Sequence, residues 1–312
     1  MTAYASDLPD FIDLIRATAS ARGIPPPIVE KDYYLTRALF FLSRDHPRKF
    51  LLKGGTSLTK GWDLLDRFSE DLDVLLRTKF EEGEISKGER ERRMKAMCAT
   101  IAGAPGFAVA EGRYPVETGV HRTAEFRYRG SVEDLAGLSK AIRLEMGTRG
   151  GTHPSAVRAV LSMVAKHAAS HSWSHLAEDL QGFDVEMLDV RRTFVEKLFT
   201  VHSAFQQDRA ANKTRHYYDL SRLCGLPEIQ EFVGTEEYRD IFKSVRQYSQ
   251  ENFPNALLPE KDSFSNSPAL SSGPEELATL KRNYEREKHL FFARPPTVEE
   301  ILAAIHPLIS KL

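Results

Sequence analysis

The sequence feature that most constrains the fold of this chain is a Gly-Gly pair, which lies between a short apolar run and a predicted helix. Phe50-Leu51-Leu52 is typical of a buried strand, Gly54-Gly55 of the turn after it, and residues 56 to about 65 of the helix. Glycine has no Cβ atom, so the backbone of such a turn can approach a ligand closely, and the N–H groups that open a helix favour anions. The turn is therefore predicted to bind phosphate, with further donors from the hydroxyls of Thr56 and Ser57.

Two carboxylates follow on the next predicted strand, Leu72–Leu76. Side chains alternate across a strand, so Asp71 and Asp73 project from one face, roughly 7 Å apart, while Val74 points into the core. Mg²⁺ prefers oxygen ligands and is commonly held by one or two carboxylates together with substrate phosphates. Each part alone also fits an ordinary tight turn or a solvated strand face. Their combination favours Mg²⁺-dependent nucleotidyl transfer from a nucleoside triphosphate.

The rest of the pattern predicts an α+β part, residues 1–185, followed by a mainly helical part, residues 186–312. In the first part we expect helices at Pro9–Arg22, Ile28–Leu42 and 84–101, and further strands at Phe107–Arg113, Arg122–Tyr128 and Ala141–Met146. In the second part we expect helices at Val190–Gln206, Thr214–Leu223, Thr235–Gln250, Glu275–His289 and Thr297–Lys311, with a loop at Asp262–Pro274.

Composition limits the partners and the compartment. The formal net charge is −1 over 312 residues, so a polyanionic partner has to be held by local patches. The two cysteines are isolated and provide neither a disulfide framework nor the spacing of a zinc site. Because no apolar stretch approaches the roughly 18 residues needed to span a membrane, and no targeting segment is recognised, we expect a cytoplasmic enzyme without a membrane partner.

The segment Lys53–Leu76 resembles the signature of the AbiEii family, nucleotidyltransferase toxins of type IV toxin–antitoxin systems within the DNA polymerase β-like superfamily. The superfamily motif is Gly-Ser, a spacer and Asp-x-Asp; here Gly55-Thr56 replaces Gly-Ser, and the spacer, residues 57–70, is longer than usual. The run Arg-Phe-Ser-Glu-Asp-Leu-Asp is nevertheless typical of AbiEii-like members. Three further segments are similar to family motifs: Ile28–Tyr34, Thr193–Leu198 and Arg215–Leu220. The resemblance covers residues 25–225 and implies a polymerase β-like core with a mixed sheet.

The resemblance also implies roles for single residues. Asp71 and Asp73 would be the catalytic metal ligands, and Gly54 to Ser57 would bind the nucleotide. Lys197 would bind the triphosphate, and Asp219 would be a further catalytic-site carboxylate that reaches the same cleft from the helical part. The residue pattern alone leaves simpler alternatives open: a lysine at the edge of an amphipathic helix for Lys197, and an ion pair with Arg215 within one helix for Asp219.

Three other residues are weaker candidates for the same site. Glu145, on the predicted strand Ala141–Met146, is a candidate third metal carboxylate, although Arg143 on the same face could instead neutralise it. Lys60 and Lys53 flank the Gly-Gly turn and could contact phosphate, or be solvated. His167, His171 and His175 recur every four residues in a stretch that is predicted to be helical, and a polar or RNA-facing surface explains them better than zinc.

The resemblance implies that the acceptor of the nucleotide is the 3′ end of tRNA, whose modification blocks aminoacylation and translation. It also implies a cognate AbiEi-like antitoxin, and the sequence leaves open whether the antitoxin binds the toxin directly. Two clusters of basic residues could contact the phosphates of an RNA, although solvated helix and strand faces are the ordinary explanation for such runs. These clusters are Lys87, Arg90, Arg92, Arg93 and Lys95, and Arg122, Arg127, Arg129, Lys140, Arg143 and Arg149. The alternatives are a nucleotidyltransferase that modifies a protein hydroxyl, a metal-dependent glycosyltransferase, and an inactive binding protein on the same fold.

Overall fold

The computed structural model describes residues 4–135, 137–207, 209–271, 274–287, 290–292 and 294–312. The chain divides into two compact units. The first comprises Met1–Asp63, Phe68–Thr148 and Ser155–Met187, and the second comprises Leu64–Arg67, Arg149–Pro154 and Leu188–Leu312.

The helices and strands alternate in the first unit, and helices dominate the second. The helices are α1 Phe11–Arg22, α2 Pro26–Asp45, α3 Gly54–Lys60, α4 Lys87–Gly103, α5 Met163–Ser170, α6 Val190–Gln206, α7 Thr214–Cys224, α8 Pro227–Phe232, α9 Glu236–Asn252, α10 Pro274–Glu287 and α11 Val298–Ile309. The strands are β1 Phe50–Lys53, β2 Asp71–Leu76, β3 Lys79–Phe80, β4 Gly83–Glu84, β5 Phe107–Val109, β6 Val116–Glu117, β7 His121–Tyr128, β8 Ala141–Gly147, β9 Ser155–Val160 and β10 Phe183–Leu188.

One mixed sheet runs in the order β5-β7-β8-β2-β1-β10-β9, with β6 paired to β7, while β3 and β4 form a separate hairpin. Strand β2 lies between β1, to which it is antiparallel, and β8, to which it is parallel. Strand β7 is antiparallel to β8, and β10 is parallel to β1. This arrangement confirms the prediction of an α+β fold with a mixed sheet.

The two faces of the central strands differ in polarity. Leu72, Val74, Leu144 and Met146 are completely buried, whereas the polar residues that alternate with them are half-buried or exposed: Asp71, Asp73, Arg143 and Glu145. Helix α2 packs on the sheet and also against α4. The two helices cover the apolar face of the sheet. Burying one such aliphatic side chain contributes about 1.5–3 kcal/mol. The burial therefore fixes the register of β2, because a slip by one residue would bring its carboxylates into the core.

The structure differs from the predicted elements in several places. Sequence reasoning missed β9, β10 and α8, and the predicted strand Phe107–Arg113 ends at Val109. The expected histidine stripe is wrong, because α5 ends at Ser170 and leaves His171 and His175 outside the helix. The last two residues of the predicted helix Glu275–His289 lie outside the described residues.

Candidate active site

The Gly-Gly turn follows β1, and its first glycine lies close to the Asp73 side chain on β2. Lys53 has an extended backbone, whereas Gly54 opens α3 with φ +71°, a left-handed conformation that favours glycine. A Cβ atom on Gly54 would lie 3.1 Å from Cγ of Asp73 and closer still to its Oδ2 atom. The turn therefore depends on glycine at position 54 for both its backbone angle and the space taken by the carboxylate.

The paired carboxylates lie on the half-buried, polar face of β2, as the alternation predicts. Asp71 and Asp73 are partly exposed, while Leu72 between them is completely buried. In the sheet, Asp73 is opposite Lys53 on β1 and Glu145 on β8. Register partners project from the same face. The sheet thus brings one lysine and three carboxylates onto one surface, next to the Gly-Gly turn.

Arg143 forms its ion pair with Glu125 rather than with Glu145, although the charges of Asp71 and Glu145 also act on its guanidinium. Nε and Nη2 of Arg143 lie 2.8 and 2.6 Å from Oε1 of Glu125, which is on β7. The hydrogen bond to Glu125 raises the pKa of the Arg143 guanidinium. Within the described part of the chain, the Glu145 carboxylate makes no hydrogen bond or ion pair, so its oxygens can accept a ligand.

The donor set suits a hard divalent cation that is completed by substrate. Across the described residues, no group of three or more His, Cys, Asp or Glu side chains lies close enough to hold a metal ion by itself. Mg²⁺ does not need such a cage, since it is usually bound by one or two carboxylates plus phosphate oxygens and water. Asp71 and Asp73 provide those carboxylates beside the Gly-Gly turn, and Glu145 as third ligand stays a prediction.

The predicted hydroxyl donors of α3 are occupied by the chain itself. Thr56 is completely buried, and its Oγ1 donates to the carbonyl of Asp71, with Oγ of Ser69 2.9 Å away. The Ser57 hydroxyl donates to the carbonyl of Gly54 at 2.9 Å. The Thr56 bond ties the start of α3 to the start of β2, and the Ser57 bond lies within α3. They favour a structural role for both hydroxyls, while the phosphate role stays a prediction.

Lys60 is also held inside the first unit. Its ammonium is buried and forms an ion pair with Oδ1 of Asp32 on α2. The other oxygen of Asp32 accepts the backbone N–H of Met163 at 2.7 Å, at the start of α5. Asp32 therefore connects three helices, and Lys60 is the contact that fixes α3.

In the second unit, Lys197 on α6 and Asp219 on α7 form a buried pair, 2.7 Å between Nζ and Oδ2. Asp219 also accepts a bidentate pair of bonds from Arg67, Nε to Oδ1 and Nη2 to Oδ2, each 2.8 Å. Arg215 bonds Glu287 instead, 3.2 Å between Nε and Oε1. Both simpler alternatives are therefore wrong: Lys197 is buried rather than at a solvated helix edge, and Asp219 does not depend on Arg215.

The electrostatics of this cluster favour its charged form. Burial alone would raise the pKa of the Asp219 carboxyl, but the charges and hydrogen bonds of Arg67 and Lys197 hold that pKa well below its usual value of 3.8. Burial, together with the charge of Lys197, lowers the pKa of His216 well below 6.5. His216 is therefore neutral near pH 7, and its Nδ1 lies 3.4 Å from Nζ of Lys197 as a possible acceptor.

Sequence reasoning missed Arg67 as a member of this cluster. The only available signal was its place in the Arg-Phe-Ser-Glu-Asp-Leu-Asp run, which is typical of AbiEii-like members. An arginine in a loop before a strand has no periodic pattern that would indicate burial. Its 3% exposure and its carboxylate partner, far along the chain, come from the tertiary structure.

The predicted basic cluster on α4 is largely neutralised by its neighbours. Arg92 and Arg93 bond Glu89, Arg90 bonds Glu84, and Lys95 bonds Glu91. Exposed pairs of this kind contribute little to stability, but they lower the positive potential that would attract RNA. This helix is therefore a weak candidate for binding a polyanion.

A surface pocket of the first unit lies away from the predicted site residues. It is lined by Phe50, Arg77, Asp184 and Glu186, among others, where β1 begins and β2 ends. The carboxylates and the Gly-Gly turn lie at the opposite ends of these two strands. The pocket contains none of the predicted site residues.

Comparison with known proteins places this chain in a family of nucleotidyltransferases. The family model described as nucleotidyl transferase AbiEii toxin, type IV toxin–antitoxin system, matches residues 37–304. The chain belongs to this family, which confirms the resemblance carried by its motifs. A search of curated protein sequences finds no match.

Two solved structures are similar. MenT4, a nucleotidyltransferase toxin from Mycobacterium tuberculosis H37Rv, shares 16% identity over 96% of this chain and 97% of its own, with a TM-score of 0.53. A protein of H. pylori, described as a candidate nucleotidyltransferase, shares 17% identity over 88% of this chain and 90% of its own, with a TM-score of 0.45. The first likeness establishes the nucleotidyltransferase toxin fold.

Family membership implies an antitoxin partner. Among the described residues, no helix combines the length and the apolar character that crossing a membrane requires.

Proposed function

We propose that this chain is a Mg²⁺-dependent nucleotidyltransferase toxin that transfers nucleotides from a nucleoside triphosphate to the 3′ end of tRNA, and so blocks aminoacylation and translation. The observation that carries the proposal is the polar face of β2, where Asp71 and Asp73 lie beside the Gly54 turn in a chain of the AbiEii family. The reaction would take place in the cytoplasm.

The roles of the residues follow from their surroundings. Asp71 and Asp73 would hold the cation, with Glu145 as a third carboxylate from the neighbouring strand. When bound, Mg²⁺ supplies positive charge that binds the triphosphate, favours ionisation of the attacking hydroxyl and stabilises the pyrophosphate leaving group. Because Gly54 has no side chain, the Asp73 carboxylate can lie directly against the turn that is predicted to bind phosphate.

Lys197 is the proposed phosphate ligand of the second unit. An ammonium has three N–H donors, and Asp219 and His216 are the two partners it has within the described residues. The third donor is available for a phosphate oxygen. The Asp219 carboxylate is enclosed by Arg67 and Lys197, so its proposed contribution is to hold the lysine rather than to contact substrate.

Recognition of tRNA is proposed from family membership rather than from a basic surface. The basic residues of α4 are mostly paired with glutamates, and Arg143 is paired with Glu125. A protein hydroxyl as acceptor would use the same catalytic centre, so the acceptor has to be tested directly. An AbiEi-like antitoxin is the proposed partner in the cell.

The test uses purified protein, Mg²⁺, total tRNA and each of the four α-labelled nucleoside triphosphates in turn. We expect label on tRNA with the wild type and a loss of about a hundredfold or more with Asp71→Ala, because removing a ligand of the catalytic cation costs several kcal/mol of transition-state stabilisation. Asp63→Ala is the matched control, since Asp63 is an exposed acid that pairs with Lys166 in the same unit.

The outcomes separate the candidate functions. Label on tRNA that depends on Asp71 supports the proposal, and it also identifies the preferred base. Label on a protein and not on tRNA would replace the tRNA acceptor with a protein hydroxyl. No transfer to any acceptor, with intact folding, would favour the inactive binding protein.

A further inference from the structure

We infer that Arg67 is a positioning residue of the nucleotidyl-transfer site: it clamps Asp219, which in turn orients Lys197 toward the triphosphate. The inference rests on the proposed function for the identity of the substrate. It deepens that function, because it assigns a role to an arginine that belongs to none of the predicted ligand sets.

The geometry of the clamp is specific to arginine. Nε and Nη2 each lie 2.8 Å from a different oxygen of Asp219, the parallel arrangement that a planar guanidinium makes with a carboxylate. The Asp219 side chain is 1% exposed and that of Arg67 4%. A lysine has one compact ammonium and cannot bind both oxygens in this fork, so Arg67→Lys would lose the geometry while keeping the charge.

The backbone around Arg67 is also fixed within the second unit. The backbone of Arg67 forms a bridge with Phe291, and the carbonyl of Asp66 accepts the N–H of Phe292 at 2.8 Å. The N–H of Asp66 donates to the hydroxyl of Tyr218, the residue before Asp219, at 3.1 Å. The guanidinium is thus presented to α7 from a backbone that α7 itself helps to hold.

The charge of the cluster indicates what it can bind. Burial alone would lower the pKa of the Arg67 guanidinium, but the charge of Asp219 and, more weakly, that of Glu287 raise it. Both oxygens of Asp219 are occupied by Arg67 and Lys197. One of the three N–H groups of the Lys197 ammonium has no acceptor among the described residues, so this cation can bind an anion. A phosphate group of the substrate is the chemical class that fits.

The first experiment is a double-mutant cycle on the binding of inorganic triphosphate with Mg²⁺, measured by calorimetry, because this probe does not depend on the base or on turnover. We expect Arg67→Met and Lys197→Met each to weaken binding about tenfold to a hundredfold, the range typical when a partner that orients a liganding group is lost. If Arg67 acts through Lys197, the double variant binds no more weakly than Lys197→Met.

A purely structural role would give a different pattern. Arg67→Met would then lower the melting temperature, while triphosphate affinity per folded molecule would stay unchanged, or the losses of the two variants would multiply. Either result overturns the inference. Arg192→Lys is the matched control, because Arg192 is equally buried in the same unit, bonds Glu196 at 2.9 Å and lies outside the cluster.

The second experiment is chemical rescue of nucleotidyl transfer. Added guanidinium, below the concentration that unfolds the protein, should restore part of the activity of Arg67→Ala, and equal sodium chloride should not. Arg67→Lys, which is less disruptive, should still lose kcat/KM about tenfold or more. Full activity of Arg67→Lys would contradict the inference.

Failure of the inference and failure of the proposed function are distinguishable. A wild type that binds triphosphate but transfers no nucleotide contradicts the function and leaves the binding cycle interpretable. If the wild type labels tRNA but Arg67→Met and Lys197→Met weaken triphosphate binding independently, only the role of Arg67 is contradicted and the proposed function stands.

Discussion

Gly54 approaches Asp73 so closely that any side chain at position 54 would collide with the carboxylate, since a Cβ atom there would be 3.1 Å from Asp73 Cγ and 3.2 Å from its Cβ. The same glycine has φ +71°. The position of Asp73, a proposed metal ligand, and the conformation of the predicted phosphate-binding turn therefore both require glycine at position 54.

Gly54→Ala is expected to displace Asp73 and to strain the turn. Nucleotidyl transfer should fall about a hundredfold, the effect of moving a catalytic group by about 1 Å, and the free energy of unfolding should fall by about 1–2 kcal/mol. Single-turnover kinetics and denaturant unfolding measure the two effects. Gly103→Ala is the control, because a Cβ atom at this position at the end of α4 would meet no atom within 4 Å. It should lower neither the rate of nucleotidyl transfer nor the free energy of unfolding. Equal activity of the two variants would argue against the turn as part of the site.

Glu145→Gln tests the third carboxylate. Glu145 is opposite Asp73 in the sheet and makes no ion pair among the described residues, so removal of its charge should weaken metal binding without breaking one. We expect the Mg²⁺ concentration for half-maximal transfer to rise about tenfold. Glu133→Gln, at an exposed loop position, is the control. An unchanged Mg²⁺ dependence would leave Asp71 and Asp73 as the only carboxylate ligands.

Lys60→Met tests whether Lys60 holds the fold or binds phosphate. Its ion pair with Asp32 is buried, and leaving the carboxylate without its partner should cost about 3–5 kcal/mol of unfolding free energy. Lys166→Met removes a more exposed pair with Asp63 and should cost less than about 1 kcal/mol. A Lys60→Met protein of normal stability with weakened triphosphate binding would instead support the phosphate role predicted from sequence.

The Asp219 cluster predicts a pH dependence of stability. The pKa of the folded-state carboxyl lies below its usual value of 3.8, so the unfolded chain binds more protons in the interval between the two values. The stabilisation is complete above about pH 5 and is lost as the pH falls through that interval. Urea unfolding between pH 3 and pH 6 should show a shallower pH dependence for Asp219→Asn than for the wild type. Asp10→Asn, an exposed acid, should retain the wild-type slope.

Much of the first unit was predictable because its strands alternate strongly and its turn residues are distinctive. The Gly-Gly turn and the alternation of Asp71 and Asp73 with buried residues agree with the sequence pattern. In the second unit, helix α6 has the predicted bounds Val190–Gln206. Strand β10 was missed although its apolar residues, such as Val185 and Met187, alternate with Asp184 and Glu186 in the pattern of a half-buried strand. The buried partners of Lys60 and Asp219 could not be predicted, since local sequence does not specify which distant charge compensates a buried one.

Local periodicity and short motifs were sufficient to predict the family, the α+β class and the carboxylate-bearing strand. Which polar side chains are bonded inside the protein depends on the folded arrangement of the chain. Thr56, Ser57 and Lys60 are adjacent to the turn in sequence, yet each is bonded within the first unit. Arg67 has no local signature but encloses Asp219 from a position more than a hundred residues away. The physical reason is that burying a charge or a hydroxyl requires a partner, and that partner comes from whichever segment the folded chain brings alongside.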